Sequence, residues 1–345
     1  MIGIQNNKGA FSERWIAYCE RCEIPYKVVD SYQNDIIEQL SNCDAFMWHH
    51  NHMHPKDVVF AKQLLYSLEQ SGKIVFPDFK TNWHFDDKLG QKYLLESLKI
   101  PLVNSYISYN KADAIEWTKS AIFPKVFKLR GGGGSWNVFL VKNKYEACRI
   151  IKKAFCRGFS QYDAWSNIKE RWRKYKLGKC SFLSFLMGFI RIFNQPLYAR
   201  VIGRDLGYVY FQDFIPNNNS DIRVIVIQQK AFAIKRMVRE NDFRASGSGN
   251  ILYEKELFDE NTIQLAFQIA EKIQGQSVAL DFIYDKGTPK VVEVSYGFVQ
   301  AGYDKCEGYW DNEMTWHEGK FDPCEWMVDL VLVGINKRKS HKRSL

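Results

Sequence analysis

Residues 125–135 read KVFKLRGGGGS, a short apolar strand pattern with two lysines followed directly by four glycines and a serine. Glycines lack a Cβ atom, so consecutive backbone N–H groups can approach phosphate oxygens closely. Lys125 and Lys128 would neutralise phosphate charge beside them. The stretch has neither the Gly-Lys-Ser/Thr ending of a Walker A loop nor the spacing of a dinucleotide fingerprint. It predicts a strand and a phosphate-binding loop, and a flexible hairpin turn is the alternative.

Three arginines recur at the ends of strand patterns further along the chain. Arg223 follows Asp221 at the start of one strand, Arg236 ends the next, and Arg244 follows Phe243. Cations on neighbouring strands would converge on one anion. Three unrelated surface arginines, each contributing little to stability, are the alternative.

Two carboxylates stand inside strand patterns near the C-terminal end. Asp281 lies in 279–282 and Glu293 in 292–295, with Ser295 two residues later. Buried carboxylates on adjacent strands are costly unless they meet cations or a metal. Mg²⁺ takes oxygen ligands and bridges nucleotide phosphates, so the pair predicts a magnesium site, with ordinary ion pairs as the alternative.

The order of apolar segments predicts the fold class. Residues 1–83 alternate short strands with helical stretches, which indicates a small α/β domain with a parallel sheet. Residues 84–335 read as an α+β domain, interrupted by a helical insertion at about 156–200. Residues 336–345 are predicted to form a basic tail that is disordered.

Composition limits the kind of protein. The chain has 345 residues, 46% of them hydrophobic, and a net charge of +9, which excludes a wholly disordered protein and suits anionic ligands. The longest apolar run, 182–193, is too short to span a bilayer. The N-terminus lacks the pattern of a signal peptide, so we expect a cytoplasmic protein with reduced cysteines.

Taken in order and spacing, these motifs resemble the ATP-grasp superfamily, especially the branch of the ribosomal-protein glutamate ligases. The resemblance covers about residues 84–296, and Asp86 to Leu89 with Ile100-Pro101 resembles the opening motif of that domain. It implies a grasp of two α+β subdomains with the nucleotide between them, and ATP and Mg²⁺ as cofactors. It also implies a reaction in which ATP phosphorylates a carboxylate and an amine attacks the acyl phosphate.

The resemblance implies roles for individual residues. Those that would contact ATP are Lys88, Lys128, Gly131, Gly132, Gly133, Gly134, Ser135, Gln212, Asp213, Phe214, Ile215 and Asp221. Catalytic roles near the transferred phosphate fall on Arg223, Arg236 and Arg244. The magnesium ligands would be Asp281, Glu293 and Ser295. Ser295 stands where the family usually has asparagine, and Ala245–Gly249 replaces an Arg-Ser-Asn type run.

The substrates are less constrained than the nucleotide chemistry. Sequences of this kind are similar to ATP-grasp proteins of bacterial surface-polysaccharide biosynthesis, so the preferred substrates are a carboxylated glycan and an amino acid or amine. An amino-acid ligase acting on a peptide or protein end is one alternative. A nucleotide-binding interaction protein without turnover is the other. No surface pattern in the sequence indicates an oligomeric interface.

Two further segments leave alternatives open. Residues 165–193 place Trp and Tyr at helical spacing among basic residues, followed by the apolar run. This pattern suits contact with a membrane interface, an anionic glycan, or a helical hairpin packed on its own domain. No nucleic-acid-binding module accompanies it, so no nucleic acid is expected. The histidines of 49–54 suit a metal, a substrate contact or an ordinary loop.

Overall fold

The computed structural model describes residues 1–132, 137–162, 168, 171–172, 175–176, 181–239 and 242–343. The chain forms two compact units. The first contains residues 1–50, 60–103 and 215–345, and the second contains residues 51–59 and 104–214. The predicted class is confirmed, because a parallel sheet at the N-terminus is followed by antiparallel sheets and helices.

A parallel four-stranded sheet opens the first unit. Its strands are Ile2–Gln5 (β1), Tyr26–Val29 (β2), Ala45–Met47 (β3) and Ile74–Phe76 (β4). The helices of this part of the chain are Phe11–Arg21 (α1), Ile36–Gln39 (α2), Pro55–Gln70 (α3), Phe79–Asn82 (α4) and Lys88–Ser97 (α5). The strand order is β2-β1-β3-β4. Parallel neighbours need crossover connections, which is why strands and helices alternate in this sequence.

The second unit is built on an antiparallel sheet. Its strands are Ser105–Ser108 (β5), Lys125–Lys128 (β6), Val138–Val141 (β7), Phe159–Ser160 (β8), Arg204–Asp205 (β9) and Val209–Asp213 (β10). Its helices include Lys111–Trp117 (α6), Lys144–Ala154 (α7), Phe182–Phe193 (α8) and Leu197–Ile202 (α9). The main sheet has the order β5-β10-β6-β7, and β8 pairs separately with β9.

A larger antiparallel sheet belongs to the first unit. Its strands are Ser220–Ile227 (β11), Lys230–Met237 (β12), Ile251–Leu252 (β13), Ser277–Asp285 (β14), Thr288–Ser295 (β15), Gly308–Asp311 (β16) and Trp316–Glu318 (β17). The remaining helices are Glu260–Ile273 (α10) and Pro323–Arg343 (α11), with 3₁₀ turns at Lys255–Leu257 and Gln300–Gly302. The order is β15-β14-β11-β12-β16-β17, and β13 pairs with β12.

The alternation of side chains along β11 separates the two faces of this sheet. Ile222 and Val224 lie in a core that also contains residues of α10, whereas Ile225 and Ile227 lie in a core shared with β1, α1 and α11. Successive side chains of a strand point to opposite faces. Asp221 is therefore on the same face as Ile225 and Ile227. This face is charged at the start of β11 and apolar toward its end.

The C-terminal segment is helical. The sequence predicted a disordered basic tail over 336–345, and this is wrong for residues 336–343, which continue α11. Val328, Val331 and Ile335 pack in the same core as Ile2 and Trp15, so the helix is anchored before its basic end begins. Residues 344–345 lie outside the described residues. Within the described ranges, no helix has the length and apolar content needed to cross a membrane.

Candidate active site

The large sheet of the first unit carries a row of charged side chains on one face. Asp221 lies opposite Arg236, Arg223 lies opposite Asp281, and Asp281 lies opposite Glu293. Residues directly opposite each other in an antiparallel pair project to the same face. β12, β11, β14 and β15 therefore present these five side chains together. The register shifts just after Asp281, between Asp281 and Phe282.

Four of these side chains form a continuous chain of ion pairs. Arg223 donates from Nε and Nη2 to the two oxygens of Asp281, at 2.5 and 2.8 Å. Nη2 of Arg236 lies 2.9 Å from Oδ2 of the same carboxylate. Arg236 also donates to both oxygens of Asp221, each at 2.7 Å. Arg223 and Arg236 thus converge on one anion, as the sequence predicted, and in this structure that anion is Asp281.

Burial and charge act against each other in this row. Burial alone would raise the pKa of Asp281, but Arg223 and Arg236 outweigh it and hold that pKa well below its usual range. Burial raises the pKa of Asp221, against the opposing effect of Arg236. Burial also raises the pKa of Tyr303 to about 12, although Arg223 and Arg236 act to lower it. Tyr303, which sequence reasoning missed, is a neutral neighbour of both guanidinium groups.

Lys88 and Glu293 extend the row of charges. Nζ of Lys88 lies 3.2 Å from Oε1 of Glu293, and the lysine side chain is only 5% exposed. Burial lowers the pKa of Lys88, yet Glu293 more than compensates, so the pKa is raised overall. Asp87 caps α5 by accepting from the Gly90 N–H at 3.0 Å, which places Lys88 in the first turn of that helix. Lys88 therefore stays a cation although it is buried.

The donor set fits a magnesium ion that shares its coordination with substrate phosphates and water. Asp281 and Glu293 supply carboxylate oxygens from opposite positions on paired strands. The described residues, this site included, contain no cluster of three or more His, Cys, Asp or Glu side chains that could hold an ion. Mg²⁺ commonly uses one or two carboxylates and keeps several waters. The Ser295 hydroxyl donates to Gly297 O at 3.1 Å and accepts the Gly297 N–H at 3.2 Å, so it closes a local turn.

Arg244 lies in a different pair. Its Nη2 is 2.7 Å from Oδ2 of Asp242, and its side chain is partly exposed. Arg244 Nε also donates to the two Asp242 oxygens, at 2.9 and 3.0 Å. Arg223 and Arg236 thus share the carboxylate of Asp281, whereas Arg244 pairs with Asp242, two residues before it. The catalytic role of Arg244 stays a prediction.

In the second unit, two predicted ATP-contacting residues share one face of the sheet. Gln212 on β10 lies opposite Val126 on β6, and Lys128 is two residues along from Val126. Both Gln212 and Lys128 are buried. The neighbouring Asp213 accepts from Lys125 Nζ at 2.5 Å on the other face. Phe214 and Ile215 follow the end of β10, where the chain passes from the second unit to the first.

The glycine loop is held at both ends by a polar network. The Arg130 N–H donates to the hydroxyl of Tyr208 at 2.6 Å, and that hydroxyl donates to Asp205 at 2.7 Å. Burial, with Asp205 nearby, raises the pKa of Tyr208. Asn137 donates to the Gln161 carbonyl at 3.1 Å. No sequence motif marked this network, since Asp205 and Tyr208 are far from the loop in the chain.

Two of the glycines are within the described residues. Gly131 follows Arg130 directly, and Gly132 has a φ of +114°, a backbone conformation that favours glycine. The predicted ATP contacts of Gly133, Gly134 and Ser135 lie outside the described residues.

The histidines after β3 make contacts within the protein. His49 accepts the Phe11 N–H at Nδ1, 3.1 Å away, and its ring stacks on the Phe11 ring. His50 Nε2 lies 2.6 Å from Asn82 Oδ1. His54 Nδ1 lies 2.5 Å from Asp57 Oδ1. These contacts fit a structural role for the loop.

Comparison with known proteins agrees with this arrangement. Residues 200–308 match the family model described as a RimK-like ATP-grasp domain. The α-aminoadipate–LysW ligase LysX of Saccharolobus solfataricus is 25% identical over 231 residues, 66% of this chain and 66% of that protein. D-alanine–D-alanine ligase from Bacillus anthracis, solved with ATP, is 11% identical with a TM-score of 0.55, and the match covers 99% of this chain and 98% of that one.

A further solved structure is that of the ATP-grasp ligase PsnB. In its complex with a minimal precursor, Mg and ADP, it is 10% identical with a TM-score of 0.54, and the match covers 97% of this chain and 98% of that one. PsnB has also been solved with the precursor peptide PsnA2 and AMPPNP. At this level of identity the solved structures establish the fold.

The chain has the fold of the ATP-grasp ligases. Within it, residues 200–308 are similar to the RimK-like ATP-grasp domain. The match covers 66% of the length of the α-aminoadipate–LysW ligase, and that relative and the D-alanine–D-alanine ligase are both ligases by name.

Proposed function

We propose that this protein transfers the γ-phosphoryl group of ATP to a substrate carboxylate and that an amine then attacks the acyl phosphate. The observation that carries the proposal is the charged row, in which Arg223 and Arg236 are fixed on Asp281 opposite Glu293. Phosphoryl transfer needs positioning and charge neutralisation more than covalent help from the protein. This face offers one buried and one partly buried guanidinium group and two carboxylates in one register.

Magnesium would be held by Glu293 and Asp281. When bound, it neutralises charge on the phosphate oxygens. The cations of the chain add fixed charge. Arg236 forms ion pairs with both Asp221 and Asp281. Its guanidinium group is therefore already in place before the reaction begins. Lys88, kept protonated by Glu293, adds a second cation at the same face.

Asp221 has a positioning role in this proposal. The resemblance implies that it contacts the nucleotide. In the structure both of its oxygens accept hydrogen bonds from Arg236. Its carboxylate therefore orients the guanidinium that stabilises charge on the transferred phosphate. Gln212 and Lys128, on one face of the other sheet, are proposed to contact the adenine and the phosphates.

For the acceptor, two candidates remain. The sequence-based preference for a carboxylated glycan joined to an amino acid or amine, in surface-polysaccharide biosynthesis, stays a prediction. An amino-acid ligase acting on a peptide end is supported by the similarity to PsnB, solved with a precursor peptide, and to the α-aminoadipate–LysW ligase. A carboxylate and an amine are the substrates in both cases.

We place the protein in the cytoplasm, where ATP is supplied. Disulfides are rare in that compartment, so we expect its cysteines to be reduced there. This location is part of the proposal.

The test is ADP and phosphate release by purified protein with ATP and Mg²⁺. Pooled carboxylates (amino acids, peptides and uronic acids) are crossed with pooled amines. ADP that forms only when both pools are present supports the ligase, and separating the pools identifies the acceptor. Arg236→Ala should lose this activity, whereas Arg14→Ala, which changes a surface ion pair of the same unit, should keep it. ATP binding without turnover in every pool would favour the interaction protein instead.

A further inference from the structure

The helix α8 exposes apolar side chains on the side that faces away from its packing contacts. Leu183 is 74% exposed and Met187 49%, and Leu186 between them is exposed as well. These positions are spaced i, i+3 and i+4, so they form one stripe along the helix. A soluble protein rarely leaves a row of large apolar side chains in water.

The opposite side of α8 is already occupied. Arg171 Nη1 donates to the carbonyl and the hydroxyl of Ser184, at 2.5 and 2.9 Å. The ring of Phe185 lies 5.1 Å from that of Trp172. A Cβ at Gly188 would lie 3.1 Å from Ile168. The exposed stripe is therefore additional to the face that α8 packs against its own unit.

The next helix also exposes apolar side chains. On α9, Leu197 and Val201 are exposed and four residues apart, with exposed Arg200 between them. Three residues of chain separate α8 from α9. We call Leu183, Leu186, Met187, Leu197 and Val201 the apolar surface.

The sequence that contains the apolar surface is rich in positive charge. Residues 164–204 contain one acidic residue, Glu170, and a net charge of +8, against +9 for the whole chain. Lys176 lies 5.4 Å from the ring of Trp172, and both side chains are exposed. The basic residues of this stretch are Lys169, Arg171, Arg173, Lys174, Lys176, Lys179, Arg191, Arg200 and Arg204. Nearly all of the excess charge of the protein is concentrated in this stretch.

We propose that the apolar surface docks on an anionic lipid bilayer, with α8 lying in the plane of the interface. Interfacial helices bury an apolar face at the boundary of the acyl chains while Lys and Arg contact anionic headgroups. Both components occur here in one stretch. Apolar exposure alone would suit another protein or a second copy, but the concentration of positive charge favours a surface with many negative charges. The proposal does not rest on the ligase activity.

The test is flotation of the full chain with vesicles of phosphatidylcholine alone or mixed with phosphatidylglycerol. We expect at least tenfold stronger partition into the anionic vesicles and weaker partition at higher salt. Leu183→Asp/Met187→Asp should reduce binding at least tenfold. The matched control is Ile122→Asp, which changes an apolar residue that is 82% exposed in the same unit. It should bind as the wild type does.

Four outcomes would overturn the proposal. The first is no binding, or equal partition into neutral and anionic vesicles. The second is binding that survives Leu183→Asp/Met187→Asp in protein whose melting temperature is unchanged. The third is a dimer in solution that the double variant dissociates, because a second copy would then cover the apolar surface. The fourth is binding to soluble polygalacturonate with none to vesicles.

Discussion

Replacing Asp281 by asparagine should destabilise the protein as well as stop ADP formation. The substitution keeps the shape of the side chain and removes its charge. Two guanidinium groups then lose their shared anion, because Arg223 and Arg236 approach Asp281 to between 2.5 and 2.9 Å. Asp281 and Arg236 are each 6% exposed, so water cannot replace the carboxylate.

The size of the effect follows from this burial. Removing one partner of a buried ion pair costs about 3–5 kcal/mol, because the other charge is left uncompensated. The neighbouring Glu293→Gln is the matched control. Glu293 is 28% exposed and pairs with one buried lysine at 3.2 Å, whereas Asp281 pairs with two guanidinium groups, so we expect a smaller loss than for Asp281→Asn. Both variants should lose ADP formation, but only Asp281→Asn should also lose most of its stability.

Urea unfolding followed by tryptophan fluorescence measures the free energy of unfolding of both variants. The double variant Asp281→Asn/Arg223→Gln completes a cycle, and we expect a coupling energy of about 2 kcal/mol, since the two side chains share two hydrogen bonds. If Asp281→Asn unfolds at nearly the same urea concentration as Glu293→Gln, the ion-pair chain does not hold the sheet together and the argument is wrong.

Three further predictions concern other residues. Burial lowers the pKa of His84 to about 4. Between that value and the ordinary value of about 6.5, His84 is protonated in the unfolded chain but neutral in the folded chain. The free energy of unfolding should therefore fall by about 2 kcal/mol from pH 7 to pH 5. Urea unfolding should show a smaller fall for His84→Phe. An equal fall in both proteins would contradict this. Arg236→Lys cannot bind Asp221 through two nitrogens, so kcat should fall about 100-fold while ATP affinity changes little, and unchanged kcat would exclude the proposed role. Lys128→Met should weaken ATP binding in titration calorimetry and Lys125→Met, on the opposite face of β6, should not; equal losses would argue against the face assignment.

The strands of the charged row were predictable from sequence, and their partners were not. Alternating apolar residues on each side of Asp281 and Glu293 predicted two adjacent strands, and β14 and β15 do pair. The apolar pattern of the sequence does not determine the strand register, and it is this register that places Arg223 opposite Asp281. Of the three arginines predicted to converge on one anion, Arg223 and Arg236 do so and Arg244 pairs with Asp242. The sequence did not predict that the anion is Asp281.

Two other features depended on contacts between distant parts of the chain. Tyr208 receives a hydrogen bond from the Arg130 N–H, 78 residues away in sequence, and neither residue lies in a recognisable joint motif. The basic residues after Ile335 read as a tail because their composition is that of a solvated segment. They are helical because the preceding turns of α11 are fixed in the core.

The packing of α11 against α1 has a consequence for recombination. Tyr18 donates to Asp329 at 2.9 Å, Arg21 donates to Glu325 at 2.6 Å, and the apolar residues of both helices lie in one core. Residues 11–21 and 323–343, although about 300 positions apart in sequence, therefore form one folded layer. A chimaera that takes only the N-terminal sheet and α1 from a relative would combine a foreign α1 with the native α11. Viable shuffling must exchange both segments together.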